Sequence, residues 1–138
     1  MPEINFGEAA LRHSRDAEIL HEKRRSSNSD QLYGLSAECA LKEIMVTLGA
    51  EITSHGDLVD RSQRKHIDTL WTEFQAFAAG RKGARYLSPL SSFGHNPFSD
   101  WSIEHRYGPD SNAPSGSAIV EHIKACRACL VALQRAKE

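Results

Sequence analysis

The sequence has no excess of basic residues, since 17 lysines and arginines face 18 aspartates and glutamates and the net charge is −1. A dedicated nucleic-acid-binding domain usually carries a basic surplus, so such a role here would need a local basic patch. No apolar run approaches the roughly 18–20 residues that cross a bilayer, and we expect no membrane segment. The polar first residues do not resemble a secretion signal, which predicts a cytoplasmic protein.

Cysteine is also scarce, and the three thiols are Cys39, Cys126 and Cys129. Cys126 and Cys129 have the spacing of zinc and redox sites, but zinc would need two further ligands and only one thiol is left. The pair lies within a helical apolar pattern, which favours reduced cysteines in a core or an interface. We therefore predict no metal and no cofactor.

Strand alternation is absent from any segment of length, whereas four segments repeat apolar residues at three- and four-residue steps. They predict helices at about Phe6–Arg25, Gln31–Leu48, His66–Ala79 and Ser117–Lys137. The second helix is apolar over most of its circumference, which is typical of a central helix. Gly34 within it indicates close backbone packing. We predict an all-α fold, an up-and-down four-helix bundle with a fifth short helix, in one domain over residues 1–138.

The stretches between these helices are polar or rich in glycine and proline. Residues 26–30 predict a turn in which Ser29 or Asp30 caps the second helix. Residues 51–65 predict a loop or a short helix. Residues 81–100 are too broken for a long element, and their length suggests a functional loop or a partner contact.

No phosphate-binding loop, paired zinc motif or nucleophile elbow is present. One candidate for chemistry is the stretch from Arg61 to His66, in which four residues separate an arginine from a histidine. A guanidinium that neutralises phosphate and an imidazole that titrates near neutral pH could support acid–base chemistry. The alternative is that His66 begins a helix and the basic residues face the solvent.

The second candidate is Trp101–Tyr107, where an acid, an imidazole, a guanidinium and two aromatic rings occur together. This stretch predicts one or two helical turns between two irregular loops, where binding residues are often found. His105, Arg106 and Tyr107 could bind a phosphate or stack on a base. The alternative is a packed aromatic turn in which Arg106 pairs with a carboxylate such as Glu38.

Glu38 and His122 stand out by their positions. Glu38 lies in the middle of the most apolar helix, where a carboxylate is costly unless it is paired. It either anchors a buried polar network, which we favour, or belongs to a site. His122 lies on the polar side of the last helix seam, where it faces either the same cleft or the solvent.

Several stretches resemble the HEPN domain family (higher eukaryotes and prokaryotes nucleotide-binding). They are Arg15–Leu20, Gln31–Lys42, His66–Leu70 and the pair Arg106-Tyr107. The Asp-Ala-Glu of the first and the Ala-Glu-Cys-Ala-Leu-Lys of the second are the most specific parts, and the order extends the resemblance over most of the chain. The resemblance implies an up-and-down bundle of four or five helices that often forms a homodimer.

The resemblance also implies a range of functions. Many members of the family are metal-independent ribonucleases, frequently toxins neutralised by a nucleotidyltransferase-type partner, and others are non-catalytic binding modules. The ribonucleases carry an arginine, usually a polar residue next to it, and a histidine shortly afterwards, and two such motifs meet across the dimer. Here Arg61 and His66 have the spacing, but Ser62 replaces the usual Asn, Asp or His and the pair lies earlier in the chain than the family's motif, whereas Arg106 is followed by no histidine until His122.

We therefore expect a HEPN-like dimer that binds a nucleotide, RNA or a protein partner, as part of a toxin–antitoxin or defence system. The residues expected to line its cleft are Arg106, Tyr107, Glu38 and His66. The alternatives are a metal-independent endoribonuclease toxin and a non-catalytic scaffold subunit. The candidate catalytic residues are Arg61, His66, His105, Arg106 and His122. Dimerisation is expected because the second and fourth helices carry more apolar surface than one core needs.

Overall fold

The computed structural model describes residues 2–81 and 88–138. Their α-helices are α1 (Phe6–Glu22), α2 (Ser26–Thr47), α3 (Ile67–Ala79) and α4 (Gly116–Lys137). In this part of the chain, extended backbone pairs only in a single bridge between Ile52 and Leu58, so the prediction of an all-α fold is confirmed. Residues 82–87, which belong to the predicted long loop, lie outside the described residues. None of the described helices combines the length and the apolar character that crossing a bilayer requires.

Short 3₁₀ helices occupy parts of the connections between the α-helices. They are Arg61–Gln63, Ser88–Leu90, Ile103–Tyr107 and Asp110–Asn112. The third of them contains five residues and corresponds to the short helix predicted for this stretch. Such tight helices are used in short pieces and as connectors.

α2 packs against α1, α3 and α4, as its apolar circumference predicted. Leu41 of α2 and Phe74 of α3 are fully buried in the shared core. The apolar surplus expected on α2 is therefore used within the chain. Large exposed apolar side chains lie elsewhere, and those on α-helices are Leu11 and Ile19 of α1 and Val120 and Val131 of α4.

The connection between α1 and α2 is shorter than predicted. α2 begins at Ser26, so the prediction of a turn at residues 26–30 is wrong, as is capping by Ser29 or Asp30. Ser29 Oγ instead donates a hydrogen bond to the carbonyl oxygen of Ala17 at 3.0 Å. The Asp30 carboxylate contacts α4. Side chains suited to capping are thus used in tertiary contacts, which a local pattern does not distinguish.

The indole of Trp101 lies directly over Gly34 of α2. A Cβ atom built on Gly34 would lie 2.2 Å from the ring, so no residue larger than glycine fits without a shift. The close packing predicted at Gly34 is therefore confirmed. Trp101 Nε1 also donates to the carbonyl oxygen of Asp30 at 3.1 Å, which fixes the start of the 101–107 stretch on α2.

Candidate functional site

His122 of α4 lies between two carboxylates. Its Nδ1 is 2.5 Å from Oδ1 of Asp30 in α2, and its Nε2 is 2.7 Å from Oδ1 of Asp100. We call these three residues the Asp–His–Asp cluster. The His122 side chain is only 1% exposed, so the expectation that it faces a cleft or the solvent is wrong. α4 turns this position towards α2, where Asp30 supplies a buried partner.

The geometry of this cluster favours the charged form of His122. An ionised carboxylate only accepts hydrogen bonds, and the protonated ring, in which both nitrogens donate, matches an acceptor on each side. Burial by itself lowers the pKa of His122, but the hydrogen bonds and charges of Asp30 and Asp100 outweigh it and raise the pKa. Asp30 is 3% exposed and Asp100 is 59% exposed. The His122 ring therefore links a buried carboxylate to a surface carboxylate through its two nitrogens.

Aromatic side chains cover the cluster. The Phe98 ring stacks on the His122 ring with 5.2 Å between centroids and 19° between planes. Phe98 in turn contacts Trp71 of α3, with 5.9 Å between the ring centroids. These rings keep water from the imidazolium, which strengthens its electrostatic attraction to the two carboxylates.

The segment that follows Trp101 carries three of the predicted site residues. Gln31 Nε2 of α2 donates to the carbonyl oxygen of Ser102 at 2.8 Å and holds the start of this segment. His105, Arg106 and Tyr107 come next, and all three are exposed. The Arg106 guanidinium lies 4.7 Å from the centre of the Tyr107 ring. The predicted aromatic and cationic residues are thus presented to the solvent as a stacked pair.

A cleft of about 430 Å³ lies at the start of α2. Its lining residues are Arg24, Arg25, Ser26, Ser27, Asn28, Asp110 and Ala113. We call it the α2 cleft. Sequence analysis missed it, although the basic run that immediately precedes three small polar residues is a signal that could have found it. The first backbone N–H groups of a helix favour anions, and the two arginines add positive charge on the same side.

Glu38 accepts hydrogen bonds from two basic side chains. Lys42 Nζ donates at 2.9 Å, and His66 Nδ1 lies 3.0 Å from the other carboxylate oxygen. We call these three residues the Glu–His–Lys cluster. Among the described contacts of Glu38 these are its charged partners, and Arg106 is not one of them. Glu38 therefore anchors a buried polar network, the alternative that the sequence favoured.

His66 differs from its two partners in its exposure. Its side chain is 48% exposed, against 8% for Glu38 and 10% for Lys42. The hydrogen bond to Glu38 raises the pKa of His66 above its ordinary value, although partial burial opposes this. A surface imidazole oriented by a buried carboxylate is an arrangement that general acid–base catalysts use. Arg61, five positions earlier, is exposed on its 3₁₀ helix.

The structure attaches the predicted cleft residues to two different places on α2. Gln31 holds the segment that bears Arg106 and Tyr107, whereas Glu38 holds His66. The two attachment points are seven positions apart on the helix, or about 10 Å along the axis. No hydrogen bond, ion pair or ring-stacking contact in residues 2–81 and 88–138 joins Arg106 or Tyr107 to Glu38 or His66. The expectation of one cleft lined by all four gives way to two separate groups.

The cysteines are shielded from solvent. Cys126 and Cys129 are buried, and Cys39 is partly buried. Burial raises the pKa of Cys39 to about 12 and that of Cys126 to about 11. Because the thiolate is the form that attacks substrates and binds metals, both uses are disfavoured here. Within the part of the chain that the structure describes, no group of three or more histidine, cysteine, aspartate or glutamate side chains is arranged to hold a metal ion.

Comparison of the chain with protein-family models, with curated proteins and with solved structures gave no match. The resemblance to the HEPN family is therefore carried by the stretches of sequence quoted above. A functional assignment depends on the two clusters and the α2 cleft.

Proposed function

We propose that the chain is a HEPN-like up-and-down helical bundle that binds the phosphate groups of a nucleotide or RNA in the α2 cleft. The observation that carries the proposal is the start of a 22-residue helix bordered by Arg24 and Arg25. Arg25 is the residue that precedes the first helical turn, and its guanidinium has no acceptor for the N–H groups of that turn. These donors and the two cations together favour a phosphate.

The backbone at Arg24 supports a role for its side chain. Its φ angle is 60°, in the left-handed region that glycine adopts without steric cost. Keeping a larger residue in such a conformation costs on the order of 1 kcal/mol. Glycine would therefore make the connection between α1 and α2 more readily, and the presence of arginine at this position fits a use for the guanidinium.

Tyr107 supplies a surface for the base of a nucleotide. Its side chain is 77% exposed, and Arg106 stacks on its ring. Asp110, three residues later, lines the α2 cleft, so the two Cα atoms are at most about 11 Å apart. A phosphate in the cleft and a base on Tyr107 are therefore within the reach of one nucleotide. The Asp110 carboxylate is suited to accept a hydrogen bond from a ribose hydroxyl.

Titration of the protein with ATP and with short single-stranded RNA tests the proposal. Arg24→Gly removes the guanidinium and relieves the backbone, so we expect unchanged or higher stability with affinity lower by about tenfold. Arg25→Ala is expected to weaken binding similarly, and Arg135→Ala, an exposed arginine of α4, serves as the matched control. Binding that is absent, or that Arg24→Gly and Arg25→Ala leave at the wild-type level, would exclude the α2 cleft as a phosphate site.

Tyr107→Ala separates base recognition from phosphate recognition. The loss of one stacked base is expected to cost about 1–3 kcal/mol of binding free energy for ATP. The affinity for inorganic triphosphate should not change, because it offers no ring to stack. An equal loss for both ligands would show that Tyr107 acts on the fold of the cleft and not on the base.

Metal-independent ribonuclease activity is a second candidate, which the Glu–His–Lys cluster favours. His66, oriented by Glu38, would accept the proton of a 2′-hydroxyl as it attacks the phosphate, and an arginine would stabilise the phosphorane. Growth arrest on expression that His66→Ala or Arg106→Ala abolishes would support this function. His95→Ala, an exposed histidine paired with Glu121, is the control. A wild-type chain without toxicity would leave the binding function.

Self-association is a further part of the proposal. A mainly apolar groove of about 690 Å³ lies between α1 and α4, with Leu11 and Val131 on its two sides. Outside it, α1 exposes Glu18 and Glu22, whereas α4 exposes Lys124 and Arg127. In a two-fold dimer, α1 of one copy could therefore face α4 of the other with apolar and charged residues matched. We therefore expect the dimer interface at the groove between α1 and α4 and not on α2.

Light scattering at micromolar concentration tests this dimer. Leu11→Glu and Val131→Glu are each expected to shift it to monomer, whereas Val59→Glu, an equally exposed apolar residue in a connecting loop, should not. A wild-type monomer would contradict the proposal. The family resemblance adds a nucleotidyltransferase-type protein as partner, and we separately propose a cytoplasmic location. Co-purification with the product of an adjacent nucleotidyltransferase gene would support that partnership.

A further inference from the structure

The segment from Phe98 to Ala113 is attached to the helices mainly at its beginning. Phe98 and Trp101 are buried in the core there. The polar attachments are the contact of Asp100 with His122, the hydrogen bond that Trp101 donates to Asp30 and the one that Gln31 donates to Ser102. Beyond Ser102, Ile103 is partly buried against the core, and neither 3₁₀ helix of the segment contains a buried residue. The position of Tyr107 and Asp110 therefore depends on the first few residues of the segment.

Two of these attachments converge on Asp30. Its carboxylate binds Nδ1 of His122, and its carbonyl oxygen accepts from Trp101. His122 thus links α2, α4 and the segment through one ring. The ring contacts the segment through the Asp100 carboxylate and through the stacked Phe98 ring, and of these two contacts only the hydrogen bond to Asp100 depends on the protonation of His122.

Removal of one proton from His122 has a defined structural consequence. The neutral ring keeps one N–H and turns its other nitrogen into an acceptor, which repels a facing carboxylate. Asp30 is 3% exposed and has little access to water, whereas Asp100 is 59% exposed and can turn into the solvent. The neutral ring therefore keeps its bond to Asp30 and releases Asp100.

We propose that the Asp–His–Asp cluster is a proton-controlled latch that holds the Phe98–Ala113 segment in place as the outer wall of the α2 cleft. The latch is closed when His122 is protonated and open when it is neutral. The regulatory meaning rests on the proposed function, because the segment matters for binding only if the α2 cleft and Tyr107 hold the ligand. The movement of the segment itself does not depend on any ligand.

The charged groups around His122 set the direction of the response. Asp30 faces it from α2 and Asp100 from the segment, and the Phe98 ring that covers it is uncharged. On α4 itself, the neighbouring Glu121 is paired with His95, and Lys124 is exposed. The pKa of His122 is raised above 6.5, so the latch is closed below that pH and is lost as pH rises through the higher folded-state value.

NMR of the full chain during a pH titration tests the latch without a ligand. We expect the His122 ring to titrate together with a change in Trp101 fluorescence and an approximately tenfold loss of amide-exchange protection over residues 99–107. In Asp100→Asn the amide can either accept from or donate to the ring, so the coupled transition should disappear. Asp110→Asn, in the same segment but away from the ring, should keep it. Titration of His122 with no change in the segment would overturn the proposal.

ATP binding measured over the same pH range separates the latch from the proposed function. The latch and the proposed function are both supported if ATP affinity falls as the segment opens and if Asp100→Asn makes the affinity independent of this transition. A segment that opens with His122 in a protein that binds no ATP or RNA keeps the latch and removes the function. Ligand binding that persists while the segment remains closed at every pH keeps the function and overturns the latch.

Discussion

His122 and His66 each contact a carboxylate through Nδ1, but they lie in different surroundings. His122 is 1% exposed and is held on both ring nitrogens by Asp30 and Asp100, whereas His66 is 48% exposed and is held on one by Glu38. The pKa of both histidines is raised. The same histidine–carboxylate pairing thus links structural elements in the interior at His122 and provides an accessible acid–base group at the surface at His66. Burial and the second carboxylate make the difference.

The largest effect is expected when a carboxylate is removed from the Asp–His–Asp cluster. Asp30→Ala leaves the His122 ring buried without its main partner and is expected to lower the free energy of unfolding by about 3–5 kcal/mol. Glu38→Ala should cost less, about 1–2 kcal/mol, because His66 already meets the solvent and the long Lys42 side chain can extend to it. Urea unfolding of both variants at neutral pH measures the difference. A larger loss for Glu38→Ala would reverse the comparison.

An intermediate effect is expected from overpacking at Gly34, beside the Asp–His–Asp cluster. In Gly34→Ala the new methyl group collides with the Trp101 indole, and we expect a loss of about 1–3 kcal/mol of stability. The displaced indole should also loosen its hydrogen bond to Asp30, which Trp101 fluorescence would report. Gly94→Ala is the matched control, since no atom lies within 4 Å of the added carbon. Equal stability of the two variants would show that Trp101 shifts without cost.

The smallest expected effect concerns the surface histidine. Because the folded-state pKa of His66 is raised, its pairing with Glu38 stabilises the protein below pH 6.5 and ceases to do so as pH rises through the higher value. His66→Gln should therefore cost no more than about 1 kcal/mol, only on the acidic side, and less at high salt. Unfolding free energies of the wild type and the variant, measured below pH 6.5 and again above the raised pKa of His66, test this. A pH-independent or salt-insensitive loss would contradict the interpretation of His66 and Glu38 as a solvent-screened ion pair.

Much of the fold could be predicted from the sequence. Apolar residues repeated at three- and four-residue steps placed α1, α3 and α4 to within a few residues, and the buried side chains of Leu41 and Phe74 follow that pattern. The start of α2 could not be predicted, since Ser29 and Asp30 have the composition of a cap. Their actual partners are 12 and 92 residues away in the chain.

Less of the candidate site could be predicted. Glu38 was identifiable as a paired residue, because an unpaired carboxylate in so apolar a helix would be costly. Its partner His66, 28 residues away, was not identifiable as such. The position of Arg24 and Arg25 beside a helix start was not predicted, because the sequence placed the start of α2 at about Gln31 and not at Ser26.

The sequence by itself determined that this chain is all-α, that α2 is surrounded by other helices and that Gly34 is closely packed, because hydrophobic period and residue size are local properties. Only the tertiary structure decided that His122 is enclosed between Asp30 and Asp100 while His66, His105, Arg106 and Tyr107 reach the solvent. Burial and ion pairing join residues far apart in the chain, and no local pattern records which of them meet.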